Sequence, residues 1–242
     1  MFVFPAFFCK AVALFLVGLY SVGLPVKVRG RALSGRITVT AHSGCMDLPD
    51  NSIEAMESGV RAGARIVEFD LQFSADGTPV LSHNAPDPDT SYVTLEEAFA
   101  FLAEHPGVQA NVDVKSTAYL EKVPTLAEQT GVTERIFFTG IRENDVATVR
   151  EKCPGIPYYL NTDVSADEDL NALAEKTASL GAVGVNLYWE YASPELVNVF
   201  HKHKMPVSVW TVDGAEETLR LAVYGVDNIT SRRPDIVCER IR

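Results

Sequence analysis

Two histidines, three carboxylates and a lysine stand at the ends of short β-like runs in this chain. His42 ends the run 37–42, Glu68 and Asp70 end 65–70, and His83 ends 79–83. Asp113 and Lys115 close the run 109–115. On a strand, residues two apart face the same side, so Glu68 shares a face with Asp70, and Asp113 with Lys115. Two carboxylates that close repel unless a cation or a lysine lies between them. A hard divalent ion such as Mg²⁺ or Ca²⁺ suits oxygen donors, with Asp113 a candidate third ligand. Lys115 is a candidate partner for a phosphate oxygen. An imidazole titrates near neutral pH, so His42 and His83 are candidates for a general acid and a general base. The set suits metal-assisted cleavage of a phosphate ester. The remaining histidines, His105, His201 and His203, fall in helix or loop contexts and read as surface residues.

That chemistry requires the runs to be neighbouring parallel strands. Strand-like runs lie at 36–42, 65–71, 109–115, 135–139, 156–160, 183–187, 206–211 and 226–230. Helical spacing fills 51–62, 94–104, 117–129, 142–151, 165–179, 194–203 and 214–223. A short extra run, 78–83, sits inside the second unit. Eight strands in β-α alternation predict an α/β fold, a single closed (β/α)8 barrel of the TIM type. The runs read as nearly continuous in apolar residues, as parallel strands covered on both faces should. A doubly wound open sheet is the alternative, and no Gly-x-Gly-x-x-Gly fingerprint follows the first strand. In such barrels chemistry sits at the C-terminal strand ends, where these polar residues gather. Trp210 also ends a run, as an apolar wall for a substrate's organic part or as core packing. Asp50 and Asn51 begin the first helix, either as its N-cap or facing the site.

Composition narrows the partners. The chain has 242 residues, 47% hydrophobic and 22% charged, an ordinary globular balance. Residues 1–31 hold Lys10, Lys27, Arg29 and Arg31 and no acid. Residues 32–242 therefore carry 17 basic and 32 acidic residues, a formal −15. A part this acidic repels nucleic acid, and an anionic substrate would need a local positive centre. Cys45, Cys153 and Cys238 follow no CxxC spacing and read as reduced structural thiols, with Cys45 close enough to His42 to line the site.

Two parts are expected: a hydrophobic segment with a basic flank, 1–31, and the barrel, 32–242. Residues 2–26 are almost wholly apolar, broken only by Lys10, and long enough to span a bilayer. No clear small-x-small site follows, so an uncleaved membrane anchor is the reading, with a cleaved signal peptide and secretion as the rival. The side of the membrane stays open.

In order along the chain stand Ala41-His42-Ser43-Gly44, Pro49-Asp50-Asn51-Ser52, Gly63-Ala64-Arg65, Glu68-Phe69-Asp70, Asp76-Gly77, His83-Asn84, Asp113-Val114-Lys115 and Val209-Trp210-Thr211-Val212. From about residue 37 to 236 this set resembles the glycerophosphodiester phosphodiesterases. The resemblance implies a metal-dependent barrel enzyme that splits a glycerophosphodiester or a related lipid-derived diester into an alcohol and glycerol phosphate. It implies Glu68, Asp70 and Asp113 as metal ligands, His42 and His83 as the acid/base pair, and Lys115 as a phosphate contact. It departs where the family has arginine after the first histidine: Ser43 stands here, and a charge-assisted contact is lost. Asp50 shortens a family glutamate, Asp113 another, and Asn84 replaces an aspartate. Ser43, Asp50 and Trp210 are therefore assigned to substrate contact, with an altered substrate expected. Two alternatives are a phospholipase D-like lyase of the sphingomyelinase D type and a catalytically lapsed barrel that binds a ligand.

Overall fold

The computed structural model describes residues 37–241. The proposed anchor at 2–26 lies outside the described residues, and within them no helix is long and apolar enough to cross a membrane. The described residues form one compact unit.

Among the described residues, nine strands form one sheet: β1 Thr38–Ala41, β2 Ile66–Phe73, β3 Pro79–Leu81, β4 Gln109–Val114, β5 Ile136–Ile141, β6 Tyr158–Asn161, β7 Gly184–Tyr188, β8 Val207–Trp210 and β9 Asn228–Ser231. The order is β1-β9-β8-β7-β6-β5-β4-β2-β3, with β1 also paired to β2. Eight parallel strands therefore close into a barrel. The short extra run is β3, which pairs antiparallel with β2 and hangs outside the barrel.

Eight helices are described: α1 Ile53–Ala62, α2 Leu95–Glu104, α3 Lys122–Thr130, α4 Val146–Lys152, α5 Leu170–Ser179, α6 Pro194–Lys202, α7 Ala215–Tyr224 and α8 Pro234–Ile241. Local chemistry sets several starts. Ser52 accepts the Ala55 N–H at 3.2 Å and opens α1. Thr94 and Glu97 form a capping box on α2. Ser193 caps α6 ahead of Pro194, whose missing N–H costs nothing there. The sequence reading omitted α8 and placed the start of α3 at 117 rather than 122.

The strands are not uniformly apolar. Their outward residues, among them Val67, Phe69, Leu71, Val112, Phe138, Leu187, Val209 and Ile229, pack under the helices in two apolar clusters. Fully burying each such Leu or Phe stabilises by about 1.5–3 kcal/mol. The alternate, inward residues are polar. Thr40 donates to Asn228 Oδ1 at 2.9 Å, and Asn228 Nδ2 donates to Ser208 at 3.0 Å. Thr139 Oγ1 lies 2.7 Å from Asn111 Oδ1. Pleating alone thus sends apolar side chains outward and chemistry-bearing ones to the axis.

Candidate active site

The inward positions of β1, β2 and β4 converge at the C-terminal end of the barrel. The register sets Asp70 opposite Asp113 and Asp113 opposite Thr139. Carboxylate oxygens of Glu68, Asp70 and Asp113 all lie within 4.8 Å of one another. Lys115 Nζ sits between two of them, 3.0 Å from Asp70 Oδ1 and 2.5 Å from Asp113 Oδ2.

His42 follows β1 directly. Its Nδ1 lies 2.8 Å from the Ser43 carbonyl oxygen and 3.7 Å from Glu68 Oε2. A carbonyl only accepts, so Nδ1 carries the proton and Nε2 of the neutral ring keeps its lone pair. His83 follows β3, its side chain 67% exposed, with Nδ1 3.4 Å from Asp70 Oδ1. One histidine is therefore set deep beside Glu68 and the other at the rim beside Asp70. The expected constellation of His42, Glu68, Asp70, His83, Asp113 and Lys115 is brought together.

Ser43 is buried and joins the cluster twice. Its N–H donates to Glu68 Oε2 at 2.8 Å, and its hydroxyl lies 3.5 Å from Asp70 Oδ2. Asp50 does not reach the carboxylates; Arg232 Nη1 holds its Oδ1 at 3.0 Å. The helix cap is Ser52 rather than Asp50 or Asn51. Trp210 is 37% exposed, its ring edge-on to Tyr188 at 5.9 Å, so it packs against an aromatic neighbour at the mouth. Tyr191 extends this group from Tyr188 at 6.0 Å. His105 and His201 are half-buried rather than surface residues, bonded to Phe101 O and to Asp227 respectively.

The structure turns Asn51 toward the site rather than leaving it as the helix cap, and it adds Thr139, which the sequence did not single out. Asn51 donates from Nδ2 to Asp70 Oδ2 at 2.9 Å and accepts the Asp70 N–H on Oδ1 at 2.8 Å. It does so at a positive φ of 59°, which Asn tolerates better than most residues. Thr139 donates to Asp113 Oδ1 at 2.7 Å, a role readable only from strand register.

The electrostatics are those of an undercompensated acidic cluster. Burial, then the charges of Asp70 and Asp113, push the Glu68 carboxyl well above the usual glutamate range. Burial works the same way on Asp70, but Lys115, the Asn51 amide and His83 outweigh it and hold Asp70 below the usual range. Burial opposes the Lys115 charge, yet Asp113 and Asp70 overcome it and raise its pKa. Three carboxylates share one ammonium. A hard cation of higher charge fits the all-oxygen donor set and would remove the repulsion that loads Glu68. Burial pushes the Cys45 thiol up to about 11, so it is not a nucleophile.

Gly140 protects this arrangement. Its φ is +76°, and a Cβ there would lie 2.6 Å from Val114 O and 2.9 Å from Asp113 Oδ1. The β5–β6 register shifts between Phe138 and Ile141, around this residue. Gly140→Ala is expected to cost about 2–3 kcal/mol, because backbone atoms cannot retreat as a flexible side chain can. It should also displace the Asp113 carboxylate and weaken divalent-ion binding. Urea denaturation and calorimetric titration with Mg²⁺ check the two effects.

Comparison with known proteins places this architecture. The family model described as the glycerophosphoryl diester phosphodiesterase family matches residues 31–94 and 88–236. A glycerophosphodiester phosphodiesterase of Caldanaerobacter subterraneus is 23% identical over 242 residues, covering 84% of this chain and 97% of that protein. Among solved structures, a glycerophosphodiester phosphodiesterase from Parabacteroides distasonis superposes with a TM-score of 0.73 at 18% identity, covering 85% of this chain and 97% of the other. An Oleispira antarctica phosphodiesterase, solved in complex with sn-glycerol-3-phosphate, gives 0.69 at 19% identity over 87% of this chain and 98% of the other. These structural likenesses show the shared barrel; the family model covers most of the chain. The chain belongs to the glycerophosphoryl diester phosphodiesterase family, and with it to the phosphoric diester hydrolases.

Proposed function

We propose that this protein hydrolyses glycerophosphodiesters, or a related lipid-derived diester, to an alcohol and glycerol phosphate in a divalent-metal-dependent reaction. The observation that carries the reading is the convergence of His42 and His83 on one acidic cluster, each tied to an oxygen through Nδ1. Glu68, Asp70 and Asp113 would hold Mg²⁺ or Ca²⁺. Such an ion, when bound, supplies Lewis-acid stabilisation of the charge that builds on phosphate oxygens.

The chain's own residues account for the proton transfers. His42 Nε2, free to accept because Nδ1 is spent on the Ser43 carbonyl, takes the proton of the attacking nucleophile, either a water or a glycerol hydroxyl whose cyclic phosphate water then opens. His83, at the exposed rim where an alcohol departs, returns a proton to the leaving oxygen. Lys115 contributes fixed positive charge beside Asp70 and Asp113, where the phosphate approaches. The lower charge at Ser43 fits a substrate altered from the family's usual one. The Oleispira protein's bound sn-glycerol-3-phosphate supports a glycerol phosphate product by analogy. Attachment to a membrane through the apolar residues 2–26 belongs to the same proposal, and fractionation of the full-length chain tests it.

The test is turnover by the full-length protein with Mg²⁺, with Ca²⁺ and with EDTA, on glycerophosphocholine, glycerophosphoethanolamine and lysophospholipids. Release of glycerol phosphate that EDTA abolishes is the expected result. A cyclic phosphate that accumulates as the end product would instead identify a lyase. Absence of turnover despite cation binding would overturn the enzyme reading for these substrates. Lys115→Met is expected to raise KM for the diester and to lower stability at neutral pH by on the order of 3 kcal/mol, since buried Asp70 and half-buried Asp113 lose their partner. Saturating Mg²⁺ should restore part of that stability in a thermal melt.

A further inference from the structure

The charge around the mouth poses a problem that the site described so far leaves open. A phosphodiester carries a negative charge into a cluster of three carboxylates whose one ammonium, Lys115, is already shared by two of them. Residue 43, beside the catalytic histidine, is an uncharged serine.

Arg142, Arg232 and Arg233 stand at the same strand-end face. Arg142 is bound to Asp163, two strands beyond β4. Arg233, just before α8, is engaged by both oxygens of Asp235 in that helix's first turn, through Nε and Nη2. Arg232 differs in position and in partner. It directly follows β9, the strand that flanks β1. The preceding Ser231 carbonyl accepts the His42 N–H at 2.9 Å, and the Arg232 carbonyl accepts the Met46 N–H at 2.8 Å. Its own N–H is fixed by Asp213 Oδ1 at 2.7 Å. The backbone of Arg232 is thus stitched to the loop that carries His42 and Ser43.

Its guanidinium is held more loosely. One nitrogen, Nη1, meets one oxygen of Asp50 at 3.0 Å, with both side chains about half exposed. Among the described residues that is the one partner the guanidinium has. A guanidinium offers five N–H donors, so most of the fork remains available. Asp50 is the neighbour of Asn51, whose amide is bonded to Asp70. The Arg232–Asp50 pair therefore stands one residue along the chain from the acidic cluster.

We infer that Arg232 is the second cation of the mouth, binding the non-bridging phosphate oxygens of the diester, and that Asp50 is the carboxylate it leaves to do so. The inference rests on the phosphodiesterase reading for its ligand. An exposed single-contact ion pair is weak, whereas a guanidinium holds a phosphate through two parallel charge-assisted bonds. Asp50 keeps the arginine extended over the first loop while the site is empty of substrate. Two residues from opposite ends of the barrel sequence thereby set the affinity for the anion.

The opposing possibility is a clip: the ion pair would merely fasten the loop 43–52 to the end of β9. The two roles predict different signs. As a phosphate ligand, Arg232→Ala should raise KM for glycerophosphocholine about tenfold and weaken binding of inorganic phosphate by a similar factor, with kcat within about threefold. Arg232→Lys should fall between, because an ammonium supplies charge without the fork. Asp50→Asn should move the other way, lowering KM about two- to fivefold, since it releases the arginine from its competitor. The experiment measures kcat, KM, phosphate binding by calorimetry in Mg²⁺, and melting temperature on the full-length protein and these three variants. Arg232→Ala and Asp50→Asn moving KM in the same direction with equal losses of melting temperature would show a clip and overturn the inference. So would an unchanged KM in Arg232→Ala. If the wild type turned over no diester, phosphate binding would still decide: loss in Arg232→Ala alone would keep the anion site and reject only the phosphodiesterase reading.

Discussion

Replacing His42 with alanine is expected to lower kcat/KM for the diester by about 10²–10⁴-fold, the range for losing a positioned acid or base. Cation binding should persist, because His42 approaches Glu68 only at 3.7 Å and is not one of the three clustered oxygen donors. The fold should persist too, since the His42 N–H that bonds Ser231 belongs to the backbone. The informative companion is His83→Ala. If His83 protonates the leaving oxygen, its loss should matter most for a poor leaving group such as choline. It should matter little for a diester whose leaving group is p-nitrophenolate, which needs no proton. His42→Ala should be impaired on both. Comparable losses on both substrates in His83→Ala would reverse the assignment of acid and base.

The second large effect concerns stability and sets it against function. Glu68 is buried beside two further carboxylates, so the native protein resists its ionisation more than the unfolded chain does. The stability of the metal-free protein therefore falls as pH rises from the ordinary glutamate range through the raised native value, and then levels off. Asp70 has the opposite sign. Its native pKa is lowered, so its contribution is present above the ordinary aspartate range and is lost as pH falls through the native value. The metal-free protein should be most stable at mildly acidic pH, between the two. Glu68→Gln removes the penalty while its amide oxygen can still accept the Ser43 N–H. At neutral pH the metal-free variant should melt about 2–6 °C higher than the wild type. It should also lose most of the stabilisation that Mg²⁺ gives the wild type, and with it the activity. A variant that melted lower without metal would show that Glu68 is not strained by its neighbours.

Much of this is legible in the sequence, for identifiable reasons. Each strand carries apolar residues at its outward positions, so the eight barrel runs stood out. Glu68, Asp70, Asp113 and Lys115 could be assigned to one face because pleating has a period of two. The reading failed where long-range closure or unusual backbone decides. The last helix, α8, begins at Pro234, where a proline fits, and lies beyond the helical stretches read from spacing. The start of α3 moved because Tyr119 adopts a positive φ of 52°, which residue type does not announce. Asp50 was assigned to substrate contact through the family glutamate it replaces, whereas Asn51 stood open between helix cap and site. The position beside Asp70 requires a donor and an acceptor at once, which an amide has and a carboxylate lacks. The Arg232–Asp50 pair spans 182 residues, and only barrel closure brings it together.

That closure has a consequence for how the enzyme comes into being on the ribosome. β2 and β4 are neighbours in space and nearly so in the chain, so the emerging polypeptide can gather its acidic cluster early. The backbone bond between His42 and Ser231 must wait for the last strand, as must the seat of Arg232. Contacts of such sequence separation form late, after most loop-closure entropy has been overcome. A partly synthesised barrel would therefore gather its acidic cluster before it could cleave. Catalytic competence would arrive with the final turn of synthesis, so a chain truncated before β9 should be inert however much of the cluster it retains.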